Sequence, residues 1–342
     1  MVKVKITPPT FIYVGGAFMK ILFKEIVNKA IQQNASDIHF IPSQTTVIIK
    51  FRVNDQLVDY EELNLSIYTK LLTFMKFQAG LDVSTHQIAQ SGRYTYQYKQ
   101  QYYLRISTLP LSLGTESCVI RIVPQYFQQH KTCYQFNDFK QFMNKKQGLL
   151  LFSGPTGSGK STLMYQMVLY AQQELNLNVI TIEDPVEQLI SGITQVSVND
   201  KAGINYVSTF KAILRCDPDV ILIGEIRDAS IAKCVIQASL SGHLVLSTIH
   251  ANNCKGTLLR LLEMGMSVQE ICQSINLISN QRLITTLNQQ RALVCEMMIN
   301  HQIEYFFEHN HTLPKSFHHL SQLIGNMSKE GVICEETANK YT

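Results

Sequence analysis

The sequence lacks three features that would each have indicated a different kind of protein. No apolar run approaches the ~18 residues that cross a bilayer, so we expect a soluble protein. Tryptophan is absent and the net charge is only +4, with no basic run that would mark a nucleic-acid face. The eight cysteines never stand at the two-residue spacing of zinc or thioredoxin sites, and we interpret them as reduced thiols of a cytosolic protein.

A length of 342 residues predicts about two domains. Residues 1–18 are expected to be a disordered tail, because helical periodicity begins only near Met19. Residues 19–124 alternate short strand patterns with one further helix at 66–78, which predicts a small α+β domain with an antiparallel sheet. The strands expected there lie at 37–41, 45–53, 93–98, 101–108 and 117–123. Residues 125–146 are polar and are expected to link the domains, with room for a short helix.

Beyond this linker four apolar runs alternate with helical segments. The runs lie at 149–152, 178–182, 220–223 and 244–249. Strands that are buried on both faces have this pattern, so residues 147–300 are predicted to form an α/β domain whose parallel sheet is covered by helices. Residues 301–342 are expected to be a helical tail, in which Leu320, Leu323 and Ile324 mark one amphipathic helix.

The sequence Gly-Pro-Thr-Gly-Ser-Gly-Lys-Ser begins at Gly154, directly after an apolar run and before a helical stretch. This is a P-loop in the context that it requires. Gly154, Gly157 and Gly159 allow backbone N–H groups to surround a polyphosphate, and the helix adds its positive N-terminal end. Lys160 is expected to reach the β- and γ-phosphates and Ser161 to hold Mg²⁺. The other members of the expected ATP or GTP site are Pro155, Thr156, Ser158 and Thr162.

Polar residues follow the other three apolar runs, at the edge where α/β proteins bind ligands. Glu225 is expected to polarise the attacking water or to hold a water on Mg²⁺, and a solvated strand end is the alternative. One of Glu183 and Asp184 is expected to organise water and metal; the sequence does not choose between them, and a charged turn is the alternative. His243 and His250 flank the fourth run, where one of them is expected to sense the γ-phosphate unless their role is structural.

These motifs stand in the order found in a known family. The P-loop, the box Ile-Glu-Asp-Pro-Val-Glu at 182–187, the segment Gly-Glu-Ile-Arg-Asp from Gly224 and the segment from Ser241 to His250 resemble the Walker A, aspartate, Walker B and histidine boxes of the type II secretion and type IV pilus ATPases. The resemblance implies a RecA-like P-loop domain that follows a small PAS-like domain. It also implies ATP and Mg²⁺ as ligands, with Ser161 on the metal and Glu225 contacting it through water.

The N-terminal half agrees with the same family. Ala-Ser-Asp-Ile-His at 35–39 and Leu-Arg-Ile-Ser-Thr at 104–108 look like parts of that family's second N-terminal domain. Family members supply arginines from this domain to the γ-phosphate, and Arg93, Arg105 and Arg121 occupy the matching positions. The resemblance therefore implies three catalytic arginines. The alternative for each is a salt bridge on the face of a strand.

Departures from the family pattern narrow the resemblance. Gln281, Arg282 and Leu283 lead to Arg291 without the four-cysteine insert that binds zinc in many members, so no zinc is expected. The long N-terminal docking domain of those members also has no counterpart in this sequence. A short member without zinc looks most like the competence ATPases of Gram-positive bacteria, which power a pseudopilus for DNA uptake.

The resemblance implies a cytoplasmic ring of identical chains, a hexamer, at the cytoplasmic face of the membrane. Its expected partner is a polytopic inner-membrane platform protein, and no direct contact with nucleic acid is expected. The alternatives are a nucleic-acid translocase, a pilus-type ATPase with a secretion role outside competence, and a noncatalytic regulator that binds nucleotide. A translocase would need a basic channel with stacking aromatics, and the low net charge and absent tryptophan count against it.

Overall fold

The computed structural model describes residues 15–54, 56–112, 114–125, 136–198, 203–288 and 290–341. Its contacts divide the chain into two units, Met1–Tyr126 and Phe127–Thr342. The boundary falls inside the linker expected at 125–146. Residues 1–14 of the expected tail, residues 126–135 of the expected linker, and with them Cys133, lie outside the described residues.

The described residues of the first unit form one antiparallel sheet and two helices. In chain order its elements are α1 (Gly15–Gln32), β1 (Asp37–Pro42), β2 (Thr46–Val53), β3 (Gln56–Asn64), α2 (Leu65–Gln78), β4 (Gln90–Gln97), β5 (Gln101–Pro110) and β6 (Glu116–Pro124). The strand order is β3-β2-β1-β6-β5-β4. The described elements of this unit are helices and an antiparallel sheet, the kinds that the sequence predicted, and the PAS-like character stays a prediction. Helix α1 begins at Gly15, so the last part of the expected disordered tail is helical.

The core of the first unit lies on one face of this sheet. Because side chains alternate along a strand, Ile38, Phe40, Val47 and Ile49 point to the same face, where all four are buried. The helices α1 and α2 cover that face with their own apolar stripes, among them Phe23, Ile26, Val27, Leu71 and Met75. The polar residues between the buried strand positions therefore lie on the opposite face of the sheet.

The second unit is a seven-stranded sheet covered by helices. In chain order its strands are β7 (Gly148–Ser153), β8 (Val179–Glu183), β9 (Thr194–Ser197), β10 (Val220–Ile223), β11 (Leu244–Ile249), β12 (Ile275–Thr285) and β13 (Arg291–Ile299). Its helices are α3 (Phe136–Met143), α4 (Lys160–Glu174), α5 (Tyr206–Ile213), α6 (Ala229–Leu240), α7 (Cys254–Glu263), α8 (Val268–Ser274), α9 (Asn300–Glu308), α10 (Leu320–Lys329) and α11 (Glu335–Asn339).

The strand order in this sheet is β13-β12-β7-β11-β10-β8-β9. All neighbouring strands are parallel except the pair β12 and β13, which is antiparallel. The four expected strands therefore form the centre of a parallel sheet with helices on it, as predicted. The P-loop follows the fully buried strand β7, which places it at the carboxyl edge of the sheet.

Two boundaries differ from the sequence-based expectation. Helix α3 lies within the expected linker but belongs to the second unit, because Phe139, Phe142 and Met143 are buried in the core under α4 and β7. The expected tail contains three helices, α9 to α11, instead of one. Ile303 and Phe306 of α9 join the main core, and Leu320 and Ile324 of α10 pack against the β12–β13 hairpin. The last part of the chain is therefore a packed part of the unit.

No helix in the described parts of the chain combines the length and apolar character that crossing a membrane requires. The seven described cysteines are free thiols, and burial raises the pKa of Cys254 and of Cys118.

Candidate functional site

The P-loop has the backbone that phosphate binding needs. Gly154, Gly157 and Gly159 have φ of 134°, 81° and 86°, a region that residues with a Cβ rarely adopt. A Cβ on Gly154 would come within 2.6 Å of the carbonyl oxygen of Gln281, whereas a Cβ on Gly157 would meet nothing within 4 Å. The loop is thus pressed against the protein at its first glycine and open at its tip, where a phosphate has room to enter.

Helix α4 begins directly after this loop with an uncapped N-terminus. Its N-cap residue is Gly159, and no side chain accepts a hydrogen bond from the first turn. The first N–H groups of a helix need an acceptor, and an anion is a favourable one because of the helix dipole. Lys160, Ser161 and Thr162 form this first turn and are all half-buried. The residues present therefore fit a polyphosphate with a bound magnesium ion.

Lys160 folds back onto its own loop. Its Nζ donates to the carbonyl oxygens of Gly154 at 2.8 Å and Pro155 at 2.9 Å. Burial lowers the pKa of the Lys160 ammonium, while the nearby Glu225 raises it and Arg282 lowers it. An anionic phosphate beside Lys160 would favour the charged form of this lysine.

Three expected site residues and one further residue form a charged cluster at the ends of three parallel strands. Glu225 follows β10, and its Oε1 lies 3.1 Å from Nε2 of His250, which follows β11. Its Oε2 accepts from Nε of Arg227 at 3.1 Å, and Nη1 of Arg227 donates to Asp184 at 2.7 Å. The side chain of Glu225 is a quarter exposed, so solvent reaches it. The structure thus brings Glu225, His250 and Asp184 together, and it adds Arg227.

Hydrogen bonds fix the strand ends that carry this cluster. Thr248 Oγ1 donates to the carbonyl of Gly224 at 2.7 Å, and Ser247 Oγ donates to that of Ile223 at 2.8 Å. A Cβ on Gly224 would lie 3.3 Å from the hydroxyl of Tyr206 and 3.4 Å from Cα of Glu183. This tight packing gives a reason why glycine, and no second acidic residue, precedes Glu225.

Glu183 lies next to Asp184 in the chain but not in this cluster. Its side chain is buried, where Thr181 Oγ1 donates to it at 2.6 Å, Gln195 Nε2 at 3.3 Å, and the hydroxyl of Tyr165 on α4 also donates. Burial raises the pKa of the Glu183 carboxyl, and these hydrogen bonds oppose the rise. Between the two acids that the sequence left open, the geometry favours Asp184 for a contact with the site. Glu183 instead joins β8 to the helix that follows the P-loop.

The structure does not bring His243 to the P-loop. His243 precedes β11, and the first residue of that strand, Leu244, pairs with Gly148, while its last residue, Ile249, pairs with Ser153 just before the loop. The length of the strand thus separates His243 from the P-loop edge. The expectation that His243 binds nucleotide is therefore corrected, because the two histidines that flank one strand lie at opposite edges of the sheet.

Strand β12 contributes residues that sequence reasoning did not assign to the site. Gln281 is fully buried, and its Nε2 donates to the carbonyl of Ser158 in the P-loop at 3.0 Å. Arg282 follows it and is half-buried. The segment Gln-Arg-Leu at 281–283 could have indicated these residues, but in the sequence it marked only the position where the zinc insert is missing.

The arginines expected to be catalytic lie in the first unit, in a row across its sheet. Arg93 pairs with Arg105 and Arg105 with Arg121, and the row continues through Asp37 to Arg52. Directly opposed residues share a face of the sheet, which here is the face away from the core. Nε of Arg121 lies 2.9 Å from Asp37, so Arg121 also forms the strand-face salt bridge that was its alternative interpretation.

The other two arginines that were expected to be catalytic form no such salt bridge in the described parts of the chain. Arg93 and Arg105 form no salt bridge within the described residues; the guanidinium of Arg93 lies 3.1 Å from the ring centroid of Tyr103, and Arg105 Nε lies 3.5 Å from the hydroxyl of Ser91. Like charges that face each other across strands are destabilising. The row therefore costs stability unless an anion binds to it.

Among the described residues, no group of three or more His, Cys, Asp or Glu side chains is arranged to hold a metal ion. Magnesium that enters with substrate phosphates needs only one or two protein ligands. Taken together, the loop, the uncapped helix and Lys160 define a P-loop nucleotide-binding protein.

Comparison with known proteins gives the family. A family model described as "Type II/IV secretion system protein" matches residues 14–326. The chain is 39% identical over 269 residues to competence protein ComGA of Bacillus subtilis (strain 168), covering 76% of this chain and 75% of that protein. It is 40% identical over 269 residues to competence protein ComGA of Halalkalibacterium halodurans, covering 77% of each. Among solved structures, the ATPase DotB of Legionella pneumophila matches with a TM-score of 0.80 at 19% identity, covering 98% of this chain and 97% of that one, which shows the fold alone.

The chain therefore belongs to the Type II/IV secretion system protein family, and it is a P-loop ATPase.

Proposed function

We propose that the protein is a Mg²⁺-dependent ATPase motor that powers assembly of a competence pseudopilus for DNA uptake. The chain is 39–40% identical to two competence proteins and covers about three quarters of their length. The type II secretion proteins that it resembles are 35–37% identical and are covered over about half of their length, so the comparison supports competence over a general secretion role. The chemistry is supported by one observation above all: the P-loop lysine, Lys160, interacts electrostatically with the carboxylate of Glu225, whose two oxygens are oriented by His250 and Arg227.

Each residue of this cluster has a distinct part in the proposed hydrolysis. The P-loop amides and Lys160 bind the phosphates, and Ser161 provides an oxygen to Mg²⁺. Glu225 accepts a proton from the attacking water or orients a water on the metal, and His250 keeps the carboxylate in place. Arg227 holds Asp184 beside Glu225, which joins the ends of β8 and β10. We include Arg93, Arg105 and Arg121 as cations that stabilise the charge that develops on the γ-phosphate.

The proposal extends to the assembly. The protein is proposed to work as a ring of identical chains, a hexamer, at the cytoplasmic face of the membrane, and to move a polytopic platform protein that adds pilin-like subunits. ATP with Mg²⁺ is the fuel. The motor is proposed to act on protein and not directly on DNA, so single-stranded DNA should leave the rate of ATP hydrolysis unchanged.

The test is Glu225→Gln. Gln keeps the size of the side chain but cannot take a proton, so the variant should bind ATP about as tightly as the unchanged protein and hydrolyse it roughly 10² to 10⁴ times more slowly. Phosphate release and the binding of a fluorescent ATP analogue measure the two quantities. Glu174→Gln, an exposed carboxylate at the end of α4, is the matched control and should hydrolyse normally. A Glu225→Gln protein of full activity would refute the role given to Glu225.

A further inference from the structure

Three consecutive residues of β12 join two loops of the site, and we name them the β12 bridge: Asn280, Gln281 and Arg282. Toward the P-loop, Asn280 Nδ2 donates to Ser153 Oγ at 2.9 Å and Gln281 Nε2 donates to the carbonyl of Ser158 at 3.0 Å. Both contacts fix the loop from below, one before its first glycine and one in its middle.

The same bridge contacts the loop that carries His250. Asn280 Nδ2 also donates to the carbonyl of Ala251 at 3.1 Å, and Nη2 of Arg282 donates to the carbonyl of Asn252 at 3.3 Å. Nη1 of Arg282 donates to Oδ1 of Asn280 at 3.1 Å and to the carbonyl of Gln281 at 2.9 Å. Arg282 thus fixes the orientation of the Asn280 amide and also holds Asn252, which lies two residues after His250.

Burial makes these contacts selective for one arrangement. Asn280 and Gln281 are fully buried, and burial lowers the pKa of the Arg282 guanidinium. Buried polar groups are costly when they lose a partner, so the two loops cannot shift relative to each other without breaking this network. Gly154, the first glycine of the P-loop, packs tightly against β12, since a Cβ there would overlap the carbonyl oxygen of Gln281.

We propose that Arg282 is a positioning residue: it holds the loop of residues 250–253 in register with the P-loop, so that His250 keeps Glu225 oriented toward the phosphate site. This inference rests on the proposed function, because it assigns Glu225 and His250 to hydrolysis. Arg282 acts through the loop, not by touching the nucleotide. The two terminal nitrogens of its planar guanidinium donate hydrogen bonds to different protein acceptors, which the single ammonium nitrogen of a lysine does not reproduce.

The first test is Arg282→Lys. Lysine keeps the positive charge but cannot reach three acceptors at once, so the 250–253 loop should shift. A misplacement of about 1 Å is enough to lower a rate by about 10²-fold; kcat should therefore fall roughly 10- to 100-fold while the Kd for ATP changes less than about threefold. Arg291→Lys on the same hairpin is the matched control and should change neither quantity. Normal kcat in Arg282→Lys, or a weaker Kd with unchanged kcat, overturns the proposal.

The second test separates positioning from a merely structural role. If Arg282 acts through His250, then Arg282→Lys should cost less than about threefold in kcat when His250→Gln is already present, because effects that share one route are not additive. If the decreases in kcat caused by Arg282→Lys and His250→Gln are fully additive, Arg282 does not act through His250. If Arg282→Lys folds poorly, kcat of Arg282→Ala is measured with and without added methylguanidinium. A kcat that recovers with methylguanidinium supports the proposal, and a kcat that does not change contradicts it. An unmodified protein without ATPase activity refutes the proposed function itself.

Discussion

Replacing Tyr165 by Phe should loosen the helix that follows the P-loop, and it should do so more at neutral than at acid pH. The hydroxyl of Tyr165 donates to the buried carboxylate of Glu183, and the backbone N–H of Glu187 hydrogen-bonds the same hydroxyl. Burial raises the pKa of the Tyr165 phenol, so it stays a donor throughout the accessible pH range. Phe preserves the ring packing and removes only these contacts.

The size of the effect follows from the charge on Glu183. A hydrogen bond to an ionised group contributes about 1.5–3 kcal/mol, and one between neutral groups about 0.5–1.5 kcal/mol. For a domain of this size, 1 kcal/mol shifts the thermal midpoint by about 2–4 °C. Tyr165→Phe should therefore lower the midpoint by about 3–12 °C where Glu183 is ionised, and by less where Glu183 is protonated.

The pH dependence has a definite sign. Burial raises the folded pKa of Glu183, so this carboxyl contributes stability that is complete below its unfolded pKa and is lost as the pH rises through the folded pKa. The Tyr165 hydrogen bond opposes that rise. Without it, the folded pKa rises further and the loss is larger. The gap in stability between the two proteins should therefore widen from acid to neutral pH.

Thermal unfolding between pH 4 and pH 8, without nucleotide, measures this gap. Tyr170→Phe is the matched control on the same helix, since Tyr170 is half-buried and packs against Phe136 and Lys140 through its ring. Its effect should be small and independent of pH. A Tyr165→Phe protein as stable as the original at pH 8, or a gap that is constant with pH, would show that Glu183 does not anchor α4.

Two further predictions concern the phosphate site. Lys160→Ala should abolish detectable binding of a fluorescent ATP analogue, because it removes the ammonium beside the helix N-terminus; retained binding at the original Kd would contradict the P-loop assignment. Arg105→Gln, in the arginine row, should lower kcat by roughly 10³-fold. It should also raise the thermal midpoint of the first unit, because it removes the repulsion of Arg105 by Arg93 and Arg121. A lower midpoint with unchanged kcat would assign the row a structural role.

The central strands of the second unit could be predicted because each carries its own signal. Strands buried on both faces must be apolar throughout, so 220–223 and 244–249 stand out and agree with β10 and β11 to the residue. Strand β3 was missed because it is an edge strand that is exposed along most of its length, and its residues Gln56–Asn64 are largely polar. Strand β9 was also missed. It is another edge strand, it is short, and it is partly exposed. Strands β12 and β13 were also missed, although both are largely buried and β12 lies inside the sheet, so local patterning did not report every central strand.

The site residues divide along a similar line. Lys160 and Glu225 lie in motifs whose spacing is local, so the sequence could predict them directly as site residues. Asp184 and Glu183 are neighbours in the chain but point to opposite sides of a strand, and only packing shows that Glu183 lies under α4. Asn280 and Arg282 act on loops that lie more than twenty residues away in sequence. No spacing rule connects such residues, because the parallel pairing of β12 with β7 creates their contact.

The contacts of Lys160 indicate which hydrogen bonds a bound nucleotide would replace. In this arrangement the ammonium is satisfied by two neutral carbonyls of its own loop, and both oxygens of Glu225 are engaged by His250 and Arg227. Charge-assisted hydrogen bonds to phosphate are about twice as strong as bonds between neutral groups. In the proposed mechanism, Lys160 therefore leaves its two carbonyls for the β- and γ-phosphates. In the same proposal, the β12 bridge holds the loop of His250 in register with the P-loop, so that Glu225 stays in place while Lys160 moves to the phosphates.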